Sequence, residues 1–187
     1  MNMMNRILMG LGAAVLLMGA MGCDSSDSEG MPLSMYEGEV GEAVMRHLMA
    51  TAPDPSPGVP KSWSIVLGEI GRNGVFEPAS VPFLEKFQEG GRRVISASVL
   101  GHAEPDHMII DPELRVAVYV LQLKLMKQRA VGVWDVEAAW SYKKFFQRKK
   151  FEVNQGADGK WTVKDGALLE GNWEGAVISD QRSTRGA

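Results

Sequence analysis

The chain has one cysteine, three histidines and no long hydrophobic run, and each shortage closes off a class of protein. A single cysteine, Cys23, among 187 residues allows no intramolecular disulfide, so an ordinary apolar core must hold the fold, and the chain is long enough to bury one. The longest apolar stretch, Ile7 to Ala20, is broken by glycine and falls short of the roughly 20 residues that cross a bilayer as a helix. No Gly-x-Ser-x-Gly elbow occurs, and "GEIGRNG" and "EGGRR" are glycine-bearing turns without the Lys-Ser/Thr ending of a phosphate-cradling loop. No serine stands in a context that names a base. The reading therefore leans away from an enzyme and calls for no cofactor.

What is present starts at the N-terminus. Arg6 and the free amino group supply positive charge, the apolar stretch follows, and Ala20 and Gly22 are small residues where a signal peptidase reads, so residues 1–22 are expected to be a secretory signal peptide. Gly22-Cys23 resembles the end of a lipobox, Leu-(Ala/Ser)-(Gly/Ala)-Cys, with Ala20 and Met21 departing from it at the first two positions. The resemblance is to bacterial lipoproteins, and it implies lipidation of Cys23 and anchorage on a bacterial membrane, facing the periplasm or exterior. Two or more acyl chains, at about 0.8 kcal/mol per buried CH₂, hold a protein stably on a bilayer. Acylation would also remove a lone thiol from an oxidising compartment. Cleavage leaves 19 basic against 23 acidic residues, a mild charge of −4. Asp24 to Gly30 is acidic and serine-bearing, so residues 23–33 read as a lipid-anchored flexible linker. Asp24 resembles the inner-membrane retention signal of enterobacterial lipoproteins.

Residues 34–180 are expected to form a single α+β domain, followed by a disordered tail at 181–187. "SMYE" at Ser34 to Glu37 reads as a capping box, and Val40, Val44 and Leu48, with Met45 and Met49 beside them, mark one helix face. Gly38 and Gly41 weaken that helix by roughly 1 kcal/mol each relative to alanine. The prolines of "APDPSPGVP" forbid regular structure. "SWSIVLGEI" reads as a strand with "RNG" as its turn, Pro78 to Gln88 as a short helix ended by Gly90 and Gly91, and "RVISASVL" as a strand. From Arg115 onward Leu121, Leu123 and Leu125 share one face, with Gln122 and Lys124 on the other. Next, Trp134, Val136, Ala138, Trp140 and Tyr142 oppose Asp135, Glu137 and Ser141. A strand from Phe145 to Val153 then turns through Asp158-Gly159 into Lys160 to Val163. The sum predicts a curved antiparallel sheet, a meander of long strands, packed on one or two helices.

This order of elements resembles the cystatin-like and nuclear-transport-factor-2-like folds, an analogy of fold that carries no function. The span from Trp63 to Val163 also resembles a diffuse group of small secreted bacterial proteins without a known activity, through "PASVPFLEKF", "VISAS", "DPELR" and "DGKWTV". That resemblance implies no catalytic residues.

Several residue groups remain as candidates. "GHAEPDH" brings together His102, Glu104, Asp106 and His107, an imidazole and carboxylate set suited to a divalent metal such as zinc, with His102, Glu104 and His107 as ligands. The competing reading is a soluble loop. His47 lies beside the apolar face of the first helix and reads as a core-edge residue. "WSYKKFFQRKKF" interleaves aromatics with Lys143, Lys144, Arg148, Lys149 and Lys150. Such a patch suits anionic phospholipid or an acidic polymer, in a compartment that offers little nucleic acid. The plainer reading puts the aromatics in the core and the cations in water. Trp134, Trp140 and Tyr142 would line a pocket for a small apolar ligand between sheet and helices. Asp111, Glu113 and Glu104 have the chemistry of an acid and base pair, but carboxylates in an acidic proline turn are expected to be solvated. The leading expectation is a non-enzymatic binding or scaffold domain of the envelope that meets an envelope protein. A small-ligand module and a metal-dependent envelope enzyme are its rivals.

Overall fold

The computed structural model describes residues 32–69, 77–104 and 108–173. The chain divides into two units, Met1–Gly30 and Met31–Ala187, and every described residue belongs to the second. The signal segment, Cys23, most of the linker, the turn at 72–74 and the tail lie outside the described residues.

Among the described residues the fold is mainly β with a few helices, built on an open mixed sheet. Leu33–Tyr36 is a single turn, α1, Glu39–Thr51 is the main helix, α2, and Val81–Glu85 is a short third helix, α3. The strands are β1 (Ser62–Leu67), β2 (Glu77–Pro78), β3 (Val94–Ser96), β4 (Gly101–Ala103), β5 (Met108–Asp111), β6 (Val116–Ala130), β7 (Val133–Tyr142), β8 (Phe145–Gln155) and β9 (Trp161–Gly171).

The apolar stripe of α2 behaves as its spacing requires: Val40, Val44, Met45, Leu48 and Met49 are all buried, and the helix touches β6, β7, β8 and β9. Its expected capping box does not form. The helix breaks at Glu37 and Gly38, and Gly38 caps α2 without a side-chain bond. The Glu37 carboxylate instead accepts hydrogen bonds from the Ser80 N–H at 2.5 Å and the Ser80 hydroxyl at 2.7 Å. Two donors from a distant segment thus outcompete the local cap, and Ser80 is itself the N-cap of α3.

The strand order is β2-β1-β6-β7-β8-β9, and β6 to β9 pair antiparallel through short turns. β1 departs from the expected antiparallel arrangement. It pairs parallel with β6 on one edge, and on the other with β3 (parallel) and β2 (antiparallel). Parallel pairing needs a long crossover, which residues 68–115 supply. A strand covered on both faces reads as an unbroken apolar run. In β1, Ile65 and Leu67 belong to the main core under α2, whereas Val66 joins Val118 and Val120 in a smaller core on the opposite face, packed on Ile95, Ala97, Leu100 and Ile109.

Two further expectations change in detail. Leu121 and Leu123 are buried, but Leu125 is 38% exposed, because the β6–β7 register shifts between Leu123 and Leu125 and Met126 takes the inward position. The "RVISASVL" strand stops at Ser96, whose hydroxyl accepts from the Ser98 N–H and turns the chain into a 3₁₀ segment, Ala97–Val99. Beyond Val163, β9 continues to Gly171, so residues without a clean apolar period still extend the sheet.

Among the described residues the buried Tyr142 hydroxyl has no hydrogen-bond partner, and its ring stacks on Tyr119 at 5.4 Å. Tyr142→Phe removes an unsatisfied polar group and little volume. It is expected to leave stability unchanged or to raise it by about 1 kcal/mol, measured by urea denaturation; a loss of that size would mean that the hydroxyl has a partner.

Candidate functional site

The five cations of the basic segment are sorted by the pleat and do not make one patch. Lys143 and Lys144 form the β7–β8 turn, and their ammonium groups lie over the rings of Tyr142 and Phe145, at 5.3 and 5.4 Å. Arg148 and Lys149 face opposite sides of β8. Arg148 pairs with Glu170 at 3.4 Å, and Lys149 with Asp165 at 3.1 Å. Lys150 returns to the side of Arg148, opposite Glu137 in the register.

The aromatic trio is also divided. Trp140 and Tyr142 are buried in the main core, and Trp134 packs partly buried against it. The cavity beside Trp140 measures about 20 Å³, room for about one water. Of the metal set, His102 is exposed on β4 opposite Ile109, and Glu104 follows it. Asp106 and His107 lie outside the described residues. Among the described residues no three His, Cys, Asp or Glu side chains cluster to hold a metal.

Asp111 overturns the expectation of a solvated carboxylate, for it is fully buried. It accepts from Arg93 Nε at 2.6 Å, from the Ser62 hydroxyl at 2.7 Å and from the backbone N–H groups of Glu113 and Leu114 at 3.0 and 3.3 Å. The same guanidinium also pairs with Glu113. The Arg93 guanidinium, with the Ser62 hydroxyl and the two N–H groups, outweighs burial and holds the Asp111 carboxyl well below the usual carboxylate range. Its acceptor sites are occupied, so it ties β1, the residue before β3 and the β5–β6 turn together and is no free acid or base.

A groove of about 610 Å³ with a mixed polar lining lies between α2 and the start of β9. Helical spacing carries Glu39, Glu42, Arg46 and His47 along one wall, with Ala43 among them, because positions three and four apart share a face. Lys160, Trp161 and Val163 form the other wall. The Trp161 indole N–H donates to Glu39 at 2.8 Å. Glu42 accepts from Arg46 Nε and from Lys86 Nζ, both at 2.9 Å. Burial pushes the Glu42 carboxyl up, but these two cations more than reverse that and leave it below its ordinary value. His47 sits at the core edge as expected, its ring edge-on to Phe151 at 5.8 Å and its Nε2 2.6 Å from Asp165. Burial raises the Asp165 carboxyl, and the hydrogen bonds from His47 and Lys149 bring it below its ordinary value.

The groove has no single signal in the sequence. Its helical wall was legible as the polar stripe beside the apolar one on α2. Its other wall was not, since Trp161 lies 122 residues from Glu39. Comparison with protein-family models, curated proteins and solved structures returned no match.

Proposed function

We propose that the protein is a lipid-anchored, extracytoplasmic domain of a bacterial envelope that acts by binding and holds its ligand in the groove between α2 and β9. The supporting observation is a contrast of volumes. About 20 Å³ is free beside Trp140, whereas the groove offers about 610 Å³, within the range of ligand sites. Glu39, Glu42, Arg46, His47 and Trp161 on its walls have hydrogen-bond partners, so binding against them loses little rotamer freedom. The anchor rests on the charged start, the apolar stretch and Gly22-Cys23. In the same reading β6 to β9 curve around α2, in the manner of cystatin-like and nuclear-transport-factor-2-like folds; the support is that α2 touches all four strands.

The anchor is tested by the intact mass of full-length protein recovered from membranes, beside a Cys23→Ser variant. The wild type is expected to carry acyl mass and to fractionate with membranes, and the variant to be unmodified and soluble. An unmodified Cys23 in the wild type overturns the anchor. Capture from envelope extract with wild type and with Arg46→Glu tests the groove: a partner retained equally by both would remove it from the reading.

A further inference from the structure

We infer that the α2–β9 groove takes a neutral polyhydroxylated ligand, a saccharide chain; this rests on the groove being the binding site proposed above. The charged groups of the groove other than Glu39 have charged partners: Glu42 with Arg46 and Lys86, and Arg46 also with Glu89, while His47 is hydrogen-bonded to Asp165, which itself pairs with Lys149. Lys160 stands 3.6 Å from Asp158. Charges of both signs line the walls, so no field of one sign is left to select an ion. An apolar ligand would find few apolar partners, since among the described residues only Ala43 and Val163 join the indole in lining the groove.

What the walls still offer is hydrogen bonding of both kinds. A carboxylate has about four acceptor sites, and the indole occupies one on Glu39. Arg46 has five N–H donors, of which single bonds to Glu42, Glu89 and the Lys86 carbonyl engage three. Fixed acceptors beside fixed donors suit a hydroxyl, which does both. Trp161 adds a plate for the C–H face of a sugar ring; it packs against the main core and is pinned through its N–H. Because the groove is open and runs beside α2, a chain of rings suits it better than a single compact molecule.

The test is NMR titration of the full-length chain carrying Cys23→Ser, following the Trp161 indole N–H, assigned among the five tryptophans by its loss in Trp161→Ala. The probes are cellotetraose and chitotetraose, with an alanine tetrapeptide and inositol hexakisphosphate for comparison. Both saccharides are expected to move the Trp161 resonance, and Trp161→Ala to weaken binding at least tenfold. Ala43→Arg, which fills the groove from a helical position without touching the core, is expected to do the same and guards against misfolding of the tryptophan variant. If millimolar saccharide leaves the resonance still while the peptide or the phosphate moves it, the saccharide assignment falls and the groove survives. If no probe moves it, both fall.

Discussion

Replacing Asp111 by alanine is expected to lower the free energy of unfolding by about 3 kcal/mol, the lower end of what breaking a buried ion pair costs. The substitution leaves the buried Ser62 hydroxyl, Arg93 and the two N–H groups of the β5–β6 turn short of an acceptor. The lower end applies because the Arg93 side chain is 36% exposed and regains water when its partner goes. Urea denaturation of wild type and variant measures the difference, and a change below 1 kcal/mol would mean that the knot is not structural.

The same residue sets part of the acid response. Its folded pKa lies below its unfolded value, so the folded state favours the ionised form. The stability this contributes is complete above the ordinary aspartate pKa of about 3.9 and is lost as pH falls toward the lower folded value. Glu42, Asp54, Glu152 and Asp165 are shifted in the same direction. Asp111→Asn is therefore expected to shallow the decline of stability below pH 4 without abolishing it.

Gly41→Ala is expected to destabilise the protein by about 2 kcal/mol, as overpacking does, although helix propensity alone would give a gain of about 1 kcal/mol. A Cβ at position 41 would stand 1.8 Å from the Tyr36 carbonyl oxygen and 2.9 Å from Leu123 Cδ2. Backbone and core both refuse it. Gly38→Ala is the control, since its nearest neighbour would be the Met35 oxygen at 3.3 Å. Thermal melts of the two variants separate the readings: a Gly41→Ala protein as stable as wild type would mean that α1 packs elsewhere.

Gly41 also marks the limit of what the sequence made legible. A glycine inside an apolar stripe reads as a weakness until the neighbouring turn is known to lie on it. The inward faces of α2 and β7 were plain, because period fixes face wherever an element is regular. Leu125 was misread where a bulge interrupts the period. Asp111 was misread because its burial depends on Arg93, 18 residues earlier, and on Ser62, 49 residues earlier. The basic segment was legible as charge but not as geometry, since alternation sends neighbouring cations to opposite faces. The parallel setting of β1 had a signal, the unbroken apolar run, that looks the same in a buried antiparallel strand.

The parallel β1–β6 pairing has a kinetic meaning. Strands β6 to β9 are joined by turns of a few residues and close only short loops, whereas docking β1 on β6 brings together positions more than fifty residues apart, Ser62 with Val118 among them. Contacts that close long loops form late in folding. The four-strand hairpin array is then expected to form first, with β1, fastened by the Asp111 knot, docking on it late. Weakening the knot should quicken unfolding and leave the folding rate nearly untouched, as for any interaction absent from the transition state.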